Sequence, residues 1–275
     1  MADQKYTFFP REHGATAMLL TPFAAAAVLA RTMKWQEAVA LVAIVTSFAM
    51  KDPLVVLARQ RWVWKTPHPE SLEAVRWVIA EAGVSAICGL ALVATGPFLA
   101  YSLLFGGAAA FFALAVWVNV RNKQRSTIFQ VLSAAALTST SLVADLATTG
   151  SIHAWCWKLW ALLAIQAAAG IFTVHARLDA RVALRKAAGD KSLDMLQSRR
   201  TAWVFAVLLG LGGVMASFFR NYWIGGALLL AAAAYLFDLR RQCNADSLQM
   251  PLMSVGRQSL SLSLIYAALV VAGLW

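Results

Sequence analysis

The stretch AVALVAIVTSFAMKDPLVVLA, residues 38–58, decides the fold class of this chain. Its largely apolar part ahead of Lys51 is too short to cross a bilayer, because the hydrocarbon core takes about 20 helical residues. The stretch reaches that length only if one helix continues through Lys51, Asp52 and Pro53. We therefore expect a membrane-spanning helix that carries a charged pair and a helix breaker in its last turns.

The rest of the chain has the same apolar character. Of its 275 residues 60% are hydrophobic and 13% charged, and the mean hydropathy is +0.65. Soluble domains carry about 25% charged residues, so a water-soluble enzyme, a disordered chain and a disulfide-rich secreted module are excluded. Nine apolar segments can be counted: Gly14–Ala30, Ala38–Ala58, Ala74–Ala94, Phe98–Val118, Thr127–Ala147, Ala154–Ala176, Thr201–Phe219, Tyr222–Phe237 and Ser259–Trp275.

These segments predict an all-α polytopic membrane bundle of about nine transmembrane helices. We expect one integral membrane domain over residues 1–275, with the first four helices at about 14–118, the next four at about 127–237 and the ninth at about 259–275. The two sets of four helices share a pattern of loop lengths, in which the middle loop is long and basic. Internal repeats of this kind often place a binding site between two halves.

Lysine and arginine counts predict the orientation in a cell (inner) membrane. The N-terminus and alternate loops hold 20 of the 24 lysines and arginines, whereas the opposite side holds Arg31, Lys34, Lys158 and Arg220. Positive-inside then places the N-terminus in the cytoplasm and the C-terminus outside. The net charge of +11 reflects this cytoplasmic excess against anionic lipid, and we expect no nucleic acid partner.

Ionisable residues converge on the cytoplasmic ends of the predicted spans, and such residues are functional candidates by default. His175 and Asp179 are four apart and share a helix face, as do Arg177 and Arg181. A ring of cations with a few carboxylates over an apolar bundle suits an amphipathic anion. Its phosphate would lie among the cations and its apolar tail in the bundle. The candidates for this ring are Arg11, His13, Lys51, Asp52, Glu81, Arg125, His175, Arg177, Asp179 and Arg181.

Several of these polar and glycine residues also have purely structural interpretations. Lys51 and Asp52 could form a neutralised pair at a helix end, and Glu81 could be satisfied by Arg76 or by a neighbouring helix. Asp145 lies near an outer helix end, where it could reach water. The pairs Gly106–Gly107, Gly212–Gly213 and Gly225–Gly226 are interpreted as points of close helix approach.

Metal and redox motifs are weak in this sequence. There is no HExxH motif or close carboxylate cluster, and the three cysteines form neither a disulfide framework nor a zinc motif. His13 and His175 could meet at one membrane surface and hold a haem, although no spacing selects that. A haem- or quinone-linked redox protein would show as colour in the purified protein.

Short motifs along the chain resemble the YwiC-like integral membrane proteins, a family without an assigned activity. They are PREHGA at residues 10–15, MLLTPF at 18–23, HARL at 175–178 and VGRQSL at 255–260. The resemblance runs nearly the full length of the chain, and it implies a multi-pass membrane protein.

More distantly, the predicted arrangement of helices and charged motifs resembles that of the UbiA prenyltransferase superfamily. Those proteins are nine-helix bundles that bind an isoprenoid diphosphate through Mg²⁺ at Asp-rich motifs on helices two and six. Only Asp52 and Asp179 match the carboxylates of those motifs, and Arg125 matches the basic segment after helix four. The resemblance implies that Asp52 and Asp179 are the catalytic candidates, while the other ring residues would bind substrate.

Two isolated carboxylates are a poor cage for the Mg²⁺ ions that a diphosphate needs. Lys51, Arg177 and Arg181 could hold a phosphate without metal, so we predict no metal-ligating residues and leave the cofactor open. The leading prediction is a UbiA-like, prenyltransferase-like bundle that binds an isoprenoid or lipid anion. The alternative is a non-enzymatic membrane protein with a lipid-binding, assembly or transport role, and Mg²⁺-dependent turnover would separate the two.

Overall fold

The computed structural model describes residues 13–66, 70–123, 126–185 and 193–275, and these residues form helices and no strands. The predicted class, an all-α membrane bundle, is therefore confirmed. The α-helices are α1 His13–Ala30, α2 Trp35–Ala49, α3 Lys51–Arg59, α4 Ser71–Thr95, α5 Phe98–Val120, α6 Thr127–Thr138, α7 Thr140–Thr149, α8 Ala154–Arg185, α9 Leu193–Phe218, α10 Tyr222–Arg241, α11 Ala245–Leu248 and α12 Leu252–Leu274.

Eight spans in the described part of the chain are long and apolar enough to cross a membrane, and α1 is a shorter apolar helix. One span joins α2 to α3 over Trp35–Trp64. Its continuation through Lys51, Asp52 and Pro53 follows the prediction. The helix is interrupted at Met50, shortly before Pro53, which has no N–H to give to the carbonyl four residues earlier. After Arg59 the span ends in a π-helical turn, Gln60–Trp64.

Three helices extend well beyond their predicted ends. The sixth predicted span was to end at Ala176, but α8 runs to Arg185, so His175 and Arg181 lie within the helix. Likewise α9 begins at Leu193 and α12 at Leu252, each several residues before the predicted start. Hydropathy locates the membrane-embedded part of a helix, whereas alanine, leucine and arginine continue it into the polar region.

The chain forms two compact units. Unit 1 comprises Met1–Phe129 and Ser139–Cys156, and in it α7 packs against both α1 and α2. Most of α7 is buried, and Thr140 Oγ1 donates a 2.7 Å hydrogen bond to the Leu19 carbonyl. Leu19 lies one turn before Pro22, which has no N–H for the Met18 carbonyl four residues earlier. In the same unit, α4 packs against α2, α3 and α5.

Unit 2 comprises Gln130–Thr138 and Trp157–Trp275, with α10 packed between α9 and α12. A buried amide-phenol group joins three of its helices: Gln166 Nε2 on α8 donates to Tyr235 Oη on α10 at 2.8 Å and to Ser263 Oγ on α12 at 3.1 Å. Gly170 provides the space for this phenol, because a Cβ there would lie 3.0 Å from Tyr235 Oη. Buried polar groups in an apolar bundle must be paired in this way.

The predicted glycine contacts are confirmed at only some positions. A Cβ on Gly213 would lie 3.0 Å from the Gly225 carbonyl, and one on Gly225 would lie 2.9 Å from the Gly213 carbonyl, so α9 and α10 cross closely there. The packing interpretation is wrong for Gly106–Gly107 in the described structure, since a Cβ on either meets nothing within 4 Å.

Candidate functional site

In unit 1 the candidate residues of the second predicted span, Lys51 and Asp52, lie at the junction between α2 and α3. Lys51 Nζ lies 3.8 Å from Asp52 Oδ1 and 5.5 Å from the centre of the Phe48 ring. The Asp52 side chain is 41% exposed. The pair is therefore close enough for mutual neutralisation at the surface end of this span, which is the structural interpretation given above.

Glu81 is the buried carboxylate of this group. It lies on α4, which packs against α2 and α3, and Asp52 is near enough for the two carboxylates to repel. The residue is 8% exposed, and its buried Oε2 atom has no hydrogen-bond partner in the described structure. Neither Arg76 nor a neighbouring helix satisfies this oxygen, so Glu81 retains the capacity to accept a hydrogen bond from a ligand.

In unit 2 the candidate cations project from one side of α8. The guanidinium of Arg177 is 2% exposed, pairs with Asp238 Oδ1 on α10 and donates to the Ser247 carbonyl at 3.1 Å. Gln242 Nε2 donates to the other Asp238 oxygen at 2.9 Å. Arg177 is thus already held by a carboxylate of its own unit.

Arg181 lies one turn further along α8. Its Nη2 donates to the Met250 carbonyl, while its buried Nε has no partner in the described structure. Because a carbonyl carries only a partial charge, this contact leaves the full positive charge of Arg181 without a carboxylate. The predicted shared face of Arg177 and Arg181 is confirmed, since both bond to the segment between α10 and α12.

His175 and Asp179 follow the other predicted face of α8. The His175 Nε2 atom lies 2.9 Å from Gln130 Oε1 on α6, so this imidazole is a hydrogen-bonded residue of unit 2. Asp179 is partly exposed. The grouping of Asp52 with Asp179, predicted from the repeat of the two halves, stays a prediction.

The side chains of three predicted candidates lie outside the described part of the structure. Arg11 and Arg125 lie outside the described residues, and His13 begins α1 with its side chain also outside the described part. Their predicted contribution to phosphate binding stays a prediction.

The residues do not fit the Mg²⁺ site that the UbiA resemblance implies. Among the side chains the structure describes, no three His, Cys, Asp or Glu residues form a group that could hold a metal ion. Asp52 has Lys51 beside it, and Asp179 lies between two arginines on the same helix. Such cations compete with a metal for carboxylate oxygens, so no catalytic step through Mg²⁺ is derived.

Unit 1 contains a second polar group, in which Glu37 was not identified from the sequence and Asp145 was misinterpreted. Asp145 is fully buried, which makes its predicted contact with water wrong. Its Oδ2 accepts the backbone N–H of His153 at 2.7 Å, and its Oδ1 lies 3.0 Å from His153 Nδ1. Glu37, also buried, accepts a 3.3 Å hydrogen bond from Thr148 Oγ1. The signal available was position, since Asp145 lies within an apolar segment and Glu37 lies one residue before another.

Asp238 and Gln242 were also missed, because the eighth predicted span ended at Phe237. Their four-residue spacing at the end of α10 was the available signal, since it places both side chains on one helix face. Together with Arg177 they form a connected polar group among the described residues of unit 2.

Comparison with known proteins supports the family resemblance. Residues 9–145 match the family described as YwiC-like protein. No curated protein matches the chain. The match includes α1 to α6 and the first six residues of α7, and thus the Lys51, Asp52 and Glu81 group. The predicted family is therefore confirmed over residues 9–145, which hold two of the four short motifs, and over that range this multi-pass membrane protein is YwiC-like.

Proposed function

We propose that this multi-pass membrane protein binds the phosphate of an isoprenoid or lipid at its predicted cytoplasmic end. The observation that carries the proposal is the surroundings of Arg181. Its guanidinium is partly buried, contacts only the Met250 carbonyl among the described groups and keeps an unpartnered Nε. A planar guanidinium in this state is suited to pair with phosphate oxygens.

Arg177 supports the same ligand in a different way. Its pairing with Asp238 and with the Ser247 carbonyl anchors the segment whose Met250 carbonyl contacts Arg181. We therefore assign Arg181 to the phosphate and treat Arg177 as a positioning residue. Lys51 and Glu81 of unit 1 remain candidates for binding a polar head, Lys51 by its charge and Glu81 by its unpartnered oxygen.

A divergent prenyltransferase is the enzymatic form of this proposal, with Asp52 and Asp179 as its catalytic candidates. The resemblance to the UbiA superfamily supports it. A non-enzymatic lipid-binding, assembly or transport protein is the second candidate. It is favoured by the poor fit of the described side chains to a metal site and by the neutralised state of Arg177. Release of diphosphate from a prenyl diphosphate, measured with and without Mg²⁺, separates the two.

The binding proposal is tested with a labelled prenyl diphosphate and the protein purified in detergent. We expect nearly equal affinity in EDTA and in Mg²⁺, because arginine pairs with phosphate directly. Arg181→Ala should weaken binding by about 10- to 100-fold, the usual effect of losing a hydrogen bond to a charged group. Asp179→Asn should change affinity much less.

Arg240→Ala is the matched control. Arg240 is an exposed arginine near Asp238 on α10, so its removal takes one positive charge from the same end of unit 2. We expect it to leave the affinity nearly unchanged. Binding that disappears with the chelator would return the protein to the metal-dependent class. An absence of binding in both conditions would reject the phosphate ligand.

A further inference from the structure

A cleft of about 830 Å³ lies in unit 1 between the π-helical turn and the start of α4. Two cations, Arg61 and Lys65, line it together with the polar side chains of Gln60 and Ser71 and the apolar side chains of Leu72 and Val75. Positive charge beside exposed hydrocarbon is the lining expected for a ligand with an anionic head and an apolar tail.

The two cations of this cleft are available to a ligand. Both are exposed, and neither side chain makes a hydrogen bond or an ion pair in the described structure. Other cations of unit 1 are engaged: Arg59 donates to the Asn119 carbonyl and to Asn122 Oδ1, both at 3.0 Å, and Arg121 stacks on Trp117. The cleft therefore brings two unpartnered cations together.

The described backbone beside the cleft, in the π turn and at the start of α4, is held in a defined shape. The π turn closes with a 2.9 Å hydrogen bond from the Lys65 N–H to the Gln60 carbonyl, and Lys65 adopts a left-handed conformation with φ of 57°. Ser71 Oγ donates to Gln60 Oε1, which ties the turn to the first residue of α4. Single π turns occur frequently at functional sites, and a fixed rim lowers the entropic cost of binding.

An apolar track leads away from the cleft along α4. Leu72, Val75 and Ile79 are spaced i, i+3 and i+7, so they share one face of the helix. They are 66%, 38% and 68% exposed, and the first two line the cleft itself. Glu73 lies in the same first turn but does not line the cleft. An acyl chain would cover this track while its head remains beside the cations.

We propose that the cleft binds one anionic phospholipid. Its headgroup phosphate pairs with Arg61 and Lys65, and one acyl chain lies along Leu72, Val75 and Ile79. The nearby Trp62 and Trp64 are exposed, as interfacial aromatic residues are at the headgroup level of a membrane. This lipid site lies wholly in unit 1 and does not depend on the phosphate site proposed at Arg181.

The test is native mass spectrometry of the full chain, released from mixed micelles that contain equal amounts of phosphatidylglycerol and phosphatidylcholine. We expect one phosphatidylglycerol to be retained in preference to phosphatidylcholine. Each lost cation should reduce this retention about fivefold, and Arg61→Ala with Lys65→Ala should reduce it roughly thirtyfold. Leu72→Gln should reduce retention of both lipids by weakening the contact with the acyl chain.

Two controls keep the outcome interpretable. Arg61→Lys with Lys65→Arg keeps both charges and should retain the lipid, which separates loss of binding from loss of folding. Arg76→Ala removes an exposed cation of α4 that does not line the cleft, and this variant should retain the lipid. Equal retention of the two lipids, or unchanged retention in the double alanine variant, would overturn the proposal. Displacement by inorganic phosphate alone would overturn the role of the acyl track.

Discussion

Arg177 and Arg181 lie one turn apart on α8, and their different partners give them different roles. Arg177 is 2% exposed and its charge is met by Asp238, whereas Arg181 contacts a backbone carbonyl. Removing one member of a buried ion pair leaves the other uncompensated in a poorly solvated position. The structural contribution of Arg177 should therefore be visible in stability, and that of Arg181 in ligand affinity.

For Arg177→Ala we expect a loss of about 3 kcal/mol in the free energy of unfolding, because the variant leaves the Asp238 carboxylate without its cation. Replacing both Arg177 and Asp238 by alanine should cost less than the sum of the two single replacements, since no unpaired charge then remains. The measurement is denaturant unfolding in detergent micelles. Arg240→Ala serves as the control, and a single variant as stable as the wild type would contradict the prediction.

At the scale of the helices, the crossing of α9 and α10 depends on glycine. A Cβ on Gly225 would lie 2.1 Å from Ser217 Oγ and 2.9 Å from the Gly213 carbonyl, while one on the adjacent Gly226 meets nothing within 4 Å. Lipid provides no hydrophobic driving force between helices, so close backbone packing contributes much of their association.

We expect Gly225→Ala to destabilise unit 2 by about 1–3 kcal/mol, because the added methyl forces the two helices apart. Gly226→Ala is a control with the same chemical change one residue away, and it should leave stability unchanged or slightly raised. Thermal unfolding in detergent compares the two variants directly. Equal effects of both variants would show that helix propensity, and not the crossing, sets the result.

The same helices show what could be predicted from the sequence. The centre of each span could be predicted because burial in lipid requires a long apolar run. The end of α8 could not, since nine residues beyond Ala176 continue the helix after the apolar run stops. Arg177 was identified as a candidate, but its partner Asp238 lies 61 residues later, and only the packing of α8 on α10 brings the two together. Glu81 Oε2 has no hydrogen-bond partner in the described structure, and this too follows from packing and could not be predicted from the sequence.

For the whole molecule, the number of crossings depends on α1. With 18 residues it is about 27 Å long, slightly less than the roughly 30 Å hydrocarbon core. Its buried residues include Leu19, Phe23 and Ala26, and it packs against α7 in unit 1. A helix integrated in this way is expected to cross with the others, which gives nine spans in total and places the two termini on opposite sides.

We therefore expect a reporter fused before Met1 to be cytoplasmic and one fused after Trp275 to be external. A reporter inserted at Lys191 should be cytoplasmic, and one at the turn near Ser151 external, because 20 of the 24 lysines and arginines lie on the predicted inner side. The two internal reporters are controls that do not depend on α1. Termini on the same side, with the internal reporters as expected, would mean that α1 does not cross and that eight spans remain. Lys191 and Trp275 on the same side would show that α9, α10 and α12 do not each cross the membrane, which would reject the nine-span topology.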